Sequence, residues 1–116
     1  MSDDPAKVVS AYFDAWNAND FDTLEALLAD DVEFIGPLAT LASASDYRKG
    51  LQGLSQIKTD IVIQQTFVNG PDVLTWFDLH TSVASPAAVA NWMHVENGLI
   101  RRTRVTFDPR EIIAGS

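Results

Sequence analysis

Cysteine is absent from the chain, which excludes disulfides and cysteine-ligated metals outright. No apolar run approaches the ~20 residues that a membrane-spanning helix needs. Positive charge is scarce: eight lysines and arginines face sixteen aspartates and glutamates, for a formal net charge of -8. That balance repels phosphate backbones and anionic lipid headgroups, so neither nucleic acid nor a membrane is an expected partner. The opening Met1-Ser2-Asp3-Asp4-Pro5 has neither the basic region nor the apolar stretch of a secretory signal, and a soluble cytoplasmic protein is the expectation. Internal repeats, low-complexity tracts and linkers are also missing. At 116 residues the chain is expected to form one domain over 1–116. A domain of this size buries roughly two-thirds of the surface its unfolded chain exposes and needs no staple to fold.

What is present reads as helices first and strands afterwards. Asp4-Pro5 opens a helix, a capping carboxylate followed by a residue without the amide that would go unpaired. Val8, Val9, Tyr12, Phe13 and Trp16 then fall on one apolar stripe. Asn17, Asn19 and Asp20 end this helix and cap a shorter one carrying Phe21, Leu24, Leu27 and Leu28, in which Asp22 and Glu25 have capping-box spacing. A strand over Val32–Ile35 stops at Gly36-Pro37. Ser45 or Asp46 is placed to cap a third helix with Tyr47, Leu51, Leu54 and Ile57 on one face, weakened by Gly50 and Gly53 by up to ~1 kcal/mol each. From Thr59 the period changes to two, and strands read as 60–68, 73–82, 87–96 and 99–107. Asn97-Gly98 between the last two is a strong hairpin signal. Helices followed by a meander give an α+β fold, with helices packed on one face of a curved antiparallel sheet.

Alternation assigns the faces. Val73, Thr75, Phe77, Leu79 and Thr81 form one set, and Leu74, Trp76, Asp78, His80 and Ser82 the other. An unpaired carboxylate in an apolar interior costs several kcal/mol, so the Phe77/Leu79 set is expected to face the helices. Val89, Asn91 and Met93, with Thr103, Val105 and Phe107, join it from the next two strands. Trp76, Asp78, His80, Trp92, His94, Arg102 and Arg104 then share the outer face. Two tryptophans among ion-pairing groups read as an interface, and a homodimer through this face is expected. Four of the eight basic residues, Arg101, Arg102, Arg104 and Arg110, fall late; cross-strand pairing with acidic neighbours accounts for them, with an anion site as the alternative.

Ala15-Trp16-Asn17 with Asp20, then Ala29-Asp30-Asp31-Val32, in front of a helix-then-meander order, resemble the nuclear transport factor 2-like superfamily in its SnoaL-like branch, over nearly the whole chain. Val73-Leu74-Thr75, Asn97-Gly98 and Phe107-Asp108-Pro109-Arg110-Glu111 look most like limonene epoxide hydrolases, and the first helix with Asp30-Asp31…Pro37 also looks like ketosteroid isomerases. The resemblance implies a cone-shaped pocket between helices and sheet, and in many members dimerisation through the sheet. It places the residues with which the epoxide hydrolases activate water at Phe34, Gly36, Phe77, Leu79 and Val105, none of which can act as a base. It places the isomerase base at Gly36, its oxyanion tyrosine at Tyr12 and the partner acid near Asn91.

The first functional reading is therefore a binding module for a small hydrophobic molecule with one carbonyl or hydroxyl, its pocket lined by Tyr12, Trp16, Phe34, Phe77, Leu79, Asn91, Met93, Val105 and Phe107. The alternative is an isomerase, cyclase or epoxide-hydrolase-type enzyme acting on an isoprenoid, steroid or polyketide-like substrate. Its candidate catalytic groups are Tyr12, Asp78, His80 and His94, and Asp78-x-His80 would pair a carboxylate with an imidazole on one face. A third reading is a structural dimer with a filled core. No cofactor and no metal is expected; two histidines and an aspartate on a flat face with competing arginines make a poor metal site.

Overall fold

Asp4 accepts a hydrogen bond from the Ala6 amide at 3.0 Å, and Pro5 starts the first helix, α1 (Pro5–Asn17), as the sequence leads one to expect. The computed structural model describes residues 4–115; residues 1–3, which carry most of the opening segment read for signal features, and residue 116 lie outside the described residues. Asn19, in the left-handed region at φ 56, turns the chain into α2 (Phe21–Ala26), whose cap is Asp20, bonded to the Thr23 amide. Asp22 and Glu25 do not form the capping box that their spacing allows. Both bind Arg48 Nη1, at 2.7 and 3.0 Å, and so tie α2 to α3 (Ala44–Leu54). The cap of α3 is Ser43, not Ser45 or Asp46: Ser43 Oγ accepts from the Asp46 amide at 3.1 Å, which places Asp46 in the first turn where a carboxylate is favoured.

The strands are β1 (Leu28–Ile35), β2 (Thr40–Leu41), β3 (Lys58–Asn69), β4 (Asp72–Thr81), β5 (Ala87–Glu96) and β6 (Leu99–Thr106), and a short α4 (Arg110–Gly115) follows. The four long strands lie within two residues of their expected limits. β1 begins four residues before Val32, and neither β2 nor α4 was anticipated. The sheet runs β2-β1-β6-β5-β4-β3. Its pairs are antiparallel except β1 with β6, so the sheet is mixed where a purely antiparallel one was expected. Short turns force neighbours in the β3–β6 meander to alternate. β1 reaches β6 only through α3 and the whole meander, so no hairpin dictates its direction. Asn97 and Gly98 have φ 53 and 75, as a two-residue hairpin of this hand requires.

Alternating burial confirms the inner face: Val73, Thr75, Phe77 and Leu79 on β4, Val89, Asn91 and Met93 on β5, and Thr103 on β6 are all buried. α1 lays Val8, Val9, Tyr12, Phe13 and Trp16 against this face and α3 adds Tyr47 and Leu51, in one continuous core. A register shift in β3 between Ile63 and Gln65 leaves Ile63 opposite Phe77 but Gln65 opposite Trp76. Such a bulge bends a strand, and it moves Phe67 to the outer face opposite Leu74. Among the described residues no helix is long and apolar enough to cross a membrane.

Candidate functional site

Tyr12 and Trp16 lie one helical turn apart on α1, so both rings point from the same stripe toward the sheet. Tyr47, Leu51 and Leu54 descend from α3 beside them, while Phe34 on β1, Phe77 on β4, Val89 and Asn91 on β5, and Val105 on β6 form the floor. These residues, with Phe107 and the turn Gly36–Ala39, enclose a cavity of about 110 Å³. Aromatic edges build its walls: Phe34 meets Tyr47 at 4.9 Å between ring centroids, Tyr12 meets Tyr47 at 6.1 Å, and Trp16 meets Phe77 at 5.9 Å.

The polar groups divide into two sets. The first is a closed hydroxyl chain. Tyr47 donates to Thr103 Oγ1 at 3.1 Å, and Tyr12 and Tyr47 share a bond of 2.8 Å. A phenol has one proton; with that of Tyr47 directed at Thr103, Tyr12 is the donor to Tyr47. Burial drives the Tyr12 phenol well above its ordinary value, and the neighbouring Tyr47 adds to the rise. Burial likewise raises Tyr47, with the bonds to Thr103 and Tyr12 pulling the other way. Both phenols stay neutral near pH 7 and serve as hydrogen-bond groups, not bases.

The second set is unpaired. Asn91 is 2% exposed and Trp16 5% exposed, yet Asn91 Oδ1 and Trp16 Nε1 have no hydrogen-bond partner, and both residues border the cavity. The buried Thr75 hydroxyl, directly across the β4–β5 pair from Asn91, is unpaired too but Thr75 does not line the cavity. Buried polar atoms in native proteins are paired in the great majority of cases, and leaving one unpaired costs ~1–3 kcal/mol.

Of the nine residues expected to line a pocket, Tyr12, Trp16, Phe34, Phe77, Asn91, Val105 and Phe107 border the cavity. Leu79 and Met93 are buried but do not reach it. They face inward one step along the strands on either side, Leu79 opposite Ile61 and Met93 opposite Thr103, because facing inward is necessary but not sufficient. Of the candidate catalytic groups only Tyr12 is at the cavity. Asp78 lies on the outer face, accepting from Gln64 Nε2 at 3.1 Å, and His80 follows it on that face two residues on. His94 is also outside, its Nδ1 2.9 Å from Asp72 Oδ1 and its Nε2 2.9 Å from Glu96 Oε1. The cavity wall contains no Asp, Glu, His, Lys, Arg or Ser, and among the described residues no three potential metal ligands converge. Sequence reasoning placed Tyr47 only in a helix stripe and missed its role. Its helical spacing with Leu51 and Leu54 was visible, but the partner hydroxyls on α1 and β6 were not.

The outer face carries Trp76 (45% exposed), Trp92 (41%) and Phe67 (57%) with Leu74. Trp92 Nε1 donates to Asp72 Oδ1 at 2.9 Å and the Arg102 guanidinium lies over its ring at 5.5 Å. Of the four late arginines, two pair across strands as expected, Arg101 with Asp31 and Arg104 with Glu33 at 3.6 Å; Arg110 pairs locally with Asp108 at 2.6 Å, and Arg102 lies over Trp92 instead.

The SnoaL-like domain family matches the chain over residues 9–103. None of the curated proteins matches it in sequence. Among solved structures, a nuclear transport factor 2-like protein of unknown function from Cytophaga hutchinsonii superposes with a TM-score of 0.86 at 23% identity, covering 97% of both chains. An epoxide hydrolase of the limonene epoxide hydrolase-like type from M. tuberculosis gives 0.79 at 22% identity, over 96% of this chain and 87% of that one. A protein from Catenulispora acidiphila with a ketosteroid isomerase-like fold, in complex with trimethylamine, gives 0.79 at 15% identity, over 94% and 91%. Identities this low establish a shared fold.

Proposed function

The chain belongs to the SnoaL-like domain family, and we propose that it is a binding module that holds a small, mostly apolar molecule in the cavity between α1, α3 and the inner sheet face. The observation that carries this reading is a cavity whose wall is almost wholly apolar and carries no group ionised near pH 7. Such a wall binds and orients; it has no base to take a proton and no acid to return one. The isomerase, cyclase or hydrolase alternative would need Asp78, His80 or His94, all on the opposite side of the sheet.

Volume sets the ligand's size. Sites for drug-sized molecules occupy ~300–1,000 Å³, whereas an apolar cavity of ~150 Å³ accommodates benzene. At about 110 Å³ this one suits a molecule of benzene's size or slightly smaller, and a steroid or polyketide does not fit it. The same volume favours the second reading, a structural domain with a packing gap. The unpaired Asn91 and Trp16 atoms weigh against it, since apolar residues at those positions would fill the gap without the penalty. Titration of the protein with cyclopentane, followed by methyl NMR, tests the proposal. Saturable shifts at Leu51, Val89 and Val105, with Val68 and Leu74 unmoved, are expected; no saturable shift at those three methyl groups refutes it.

We also propose that the outer sheet face binds a second copy of the chain. Trp76, Trp92, Phe67 and Leu74 give an exposed apolar centre of the kind that marks interfaces. Arg102 and Arg104 stand on the same face as Asp72 and Asp78, and a patch carrying both signs can pair with itself about a two-fold axis.

A further inference from the structure

β3 is the last strand of the sheet, and every residue from Val62 to Asn69 is exposed. Among the described residues no other segment pairs with its free edge. Such edges are commonly blunted by charge, by proline or by a covering element. Residues 61–70 carry neither charge nor proline, and Val62, Ile63, Phe67 and Val68 are large apolar side chains left exposed. We propose that this edge pairs, antiparallel and about a two-fold axis between Gln64 and Gln65, with the same edge of a second copy of the chain. The contact is separate from the outer-face one and goes beyond the cavity reading.

The bulge selects both partner and register. Side chains alternate strictly along a regular strand, so a regular strand paired with its own copy sets each residue opposite one of the same parity. The shift between Ile63 and Gln65 inverts that alternation partway along β3. Before it Ile61 and Ile63 face inward, opposite Leu79 and Phe77; after it Thr66 and Val68 do, opposite Thr75 and Val73. On the outer side stand Asp60 and Val62, then Phe67 and Asn69, and Gln64 reaches Asp78 from that side. With the axis between Gln64 and Gln65, two copies meet in phase from residue 60 to residue 69. Inward, Ile61 faces Val68 and Ile63 faces Thr66. Outward, Val62 faces Phe67 and the glutamines face each other. Any other centre sets inner residues against outer ones beyond the bulge. Charge agrees with this register. The chain carries -8, yet no like charges stand opposite, and the one carboxylate involved, Asp60, meets the Asn69 amide. A strand of another protein would need a matching bulge, which a second copy has by identity. The pairing closes at two, because β2, at the other edge of the sheet, has only two residues.

A strand contact is smaller than the ~800 Å² per partner of a standard interface, so it is sought at millimolar concentration, in Trp76→Glu protein, where the outer-face contact is weakened. Adding Ile63→Cys/Thr66→Cys puts the only thiols of the chain on the inner side, away from that outer face. Across the axis their Cα atoms stand about 5.5 Å apart, within disulfide reach; along one strand they are ~10 Å apart and cannot bridge. With oxidised glutathione as the oxidant, linked two-chain product is expected about tenfold faster than from Ile63→Cys/Phe67→Cys, whose thiols lie on opposite sides of the sheet. Sedimentation equilibrium gives the second reading. Trp76→Glu protein is expected to move toward two chains as concentration rises to millimolar. Gln64→Lys/Gln65→Lys, which gathers lysines at the axis, is expected to weaken that association about tenfold. Equal linking rates in the two cysteine variants, no association at millimolar concentration, or association that the lysines leave unchanged overturns the proposal. The cavity and outer-face readings stand in each case.

Discussion

Tyr47→Phe should cost the protein more stability than Tyr12→Phe, although each removes one phenolic oxygen from a fully buried ring. Tyr47 is the middle of the hydroxyl chain: it accepts from Tyr12 at 2.8 Å and donates to Thr103 at 3.1 Å. Its loss strands the Tyr12 proton in an aromatic interior and deprives Thr103 Oγ1 of its donor. With ~1–3 kcal/mol for a stranded buried donor and about 1 kcal/mol for the second bond, the expected loss is about 2–4 kcal/mol. Tyr12 is the end of the chain. Without it Tyr47 still donates to Thr103 and no proton is stranded, so the loss is about 0.5–1.5 kcal/mol, that of one ordinary hydrogen bond. The double variant should be no less stable than Tyr47→Phe alone, because removing the Tyr12 hydroxyl removes the stranded donor as well. Urea unfolding of the four proteins, with unchanged slopes, measures all three differences. Equal losses from the two single variants, or a double variant that loses their sum, would refute the chain as described.

The remaining predictions concern the outer face. His94 is drawn toward its protonated form first by the hydrogen bond to Asp72 and then by that to Glu96, with Arg102 opposite it on β6. Its folded pKa is therefore raised above the ~6.5 of a free imidazole. The contribution is full below that value and disappears as pH rises through the folded one. Asp72, lowered chiefly by the His94 bond and then by Trp92, contributes above its unfolded value and loses that contribution as pH falls through the folded one. The urea midpoint should accordingly decline above about pH 6.5 by no more than ~1 kcal/mol, as partly exposed pairs do. His94→Gln should flatten that decline, and an identical slope in the variant would count against the pairing. For the proposed dimer, sedimentation at micromolar concentration should find two chains. Trp76→Glu should weaken association at least tenfold; a wild-type monomer under those conditions ends the proposal.

The helix stripes, the hairpins and the inward set of each strand were legible in the sequence because each follows from local periodicity: Asp78, next to Phe77, could be placed outside on burial cost alone. What was not legible depended on three-dimensional neighbours. Asp22 and Glu25 have the spacing of a capping box, and only the arrival of Arg48 from α3 shows their use. Leu79 and Met93 face inward as expected, but whether an inward residue meets a cavity or another side chain is set by how far the helices extend over the sheet. The parallel direction of β1 against β6 is likewise invisible along the chain, since no turn joins them. The charge of the late arginines was readable but their partners were not, because Asp31 and Glu33 reach Arg101 and Arg104 only through the β1–β6 pairing.

Loss of chemistry and loss of space coincide at this site. Of the five positions where the family resemblance puts water-activating groups, Phe34, Gly36, Phe77 and Val105 border the cavity and the fifth, Leu79, is buried beside it. Three of the five are large apolar side chains. They remove acceptors and donors and fill volume at once: Phe34 packs its ring against Tyr47, and Phe77 packs against Phe13 and Trp16. A carboxylate introduced at position 77, where the resemblance puts an arginine, would not supply a base. It would sit where exposure is 1%, against two aromatic rings, with no cation on the wall, and desolvation would hold it protonated through neutral pH.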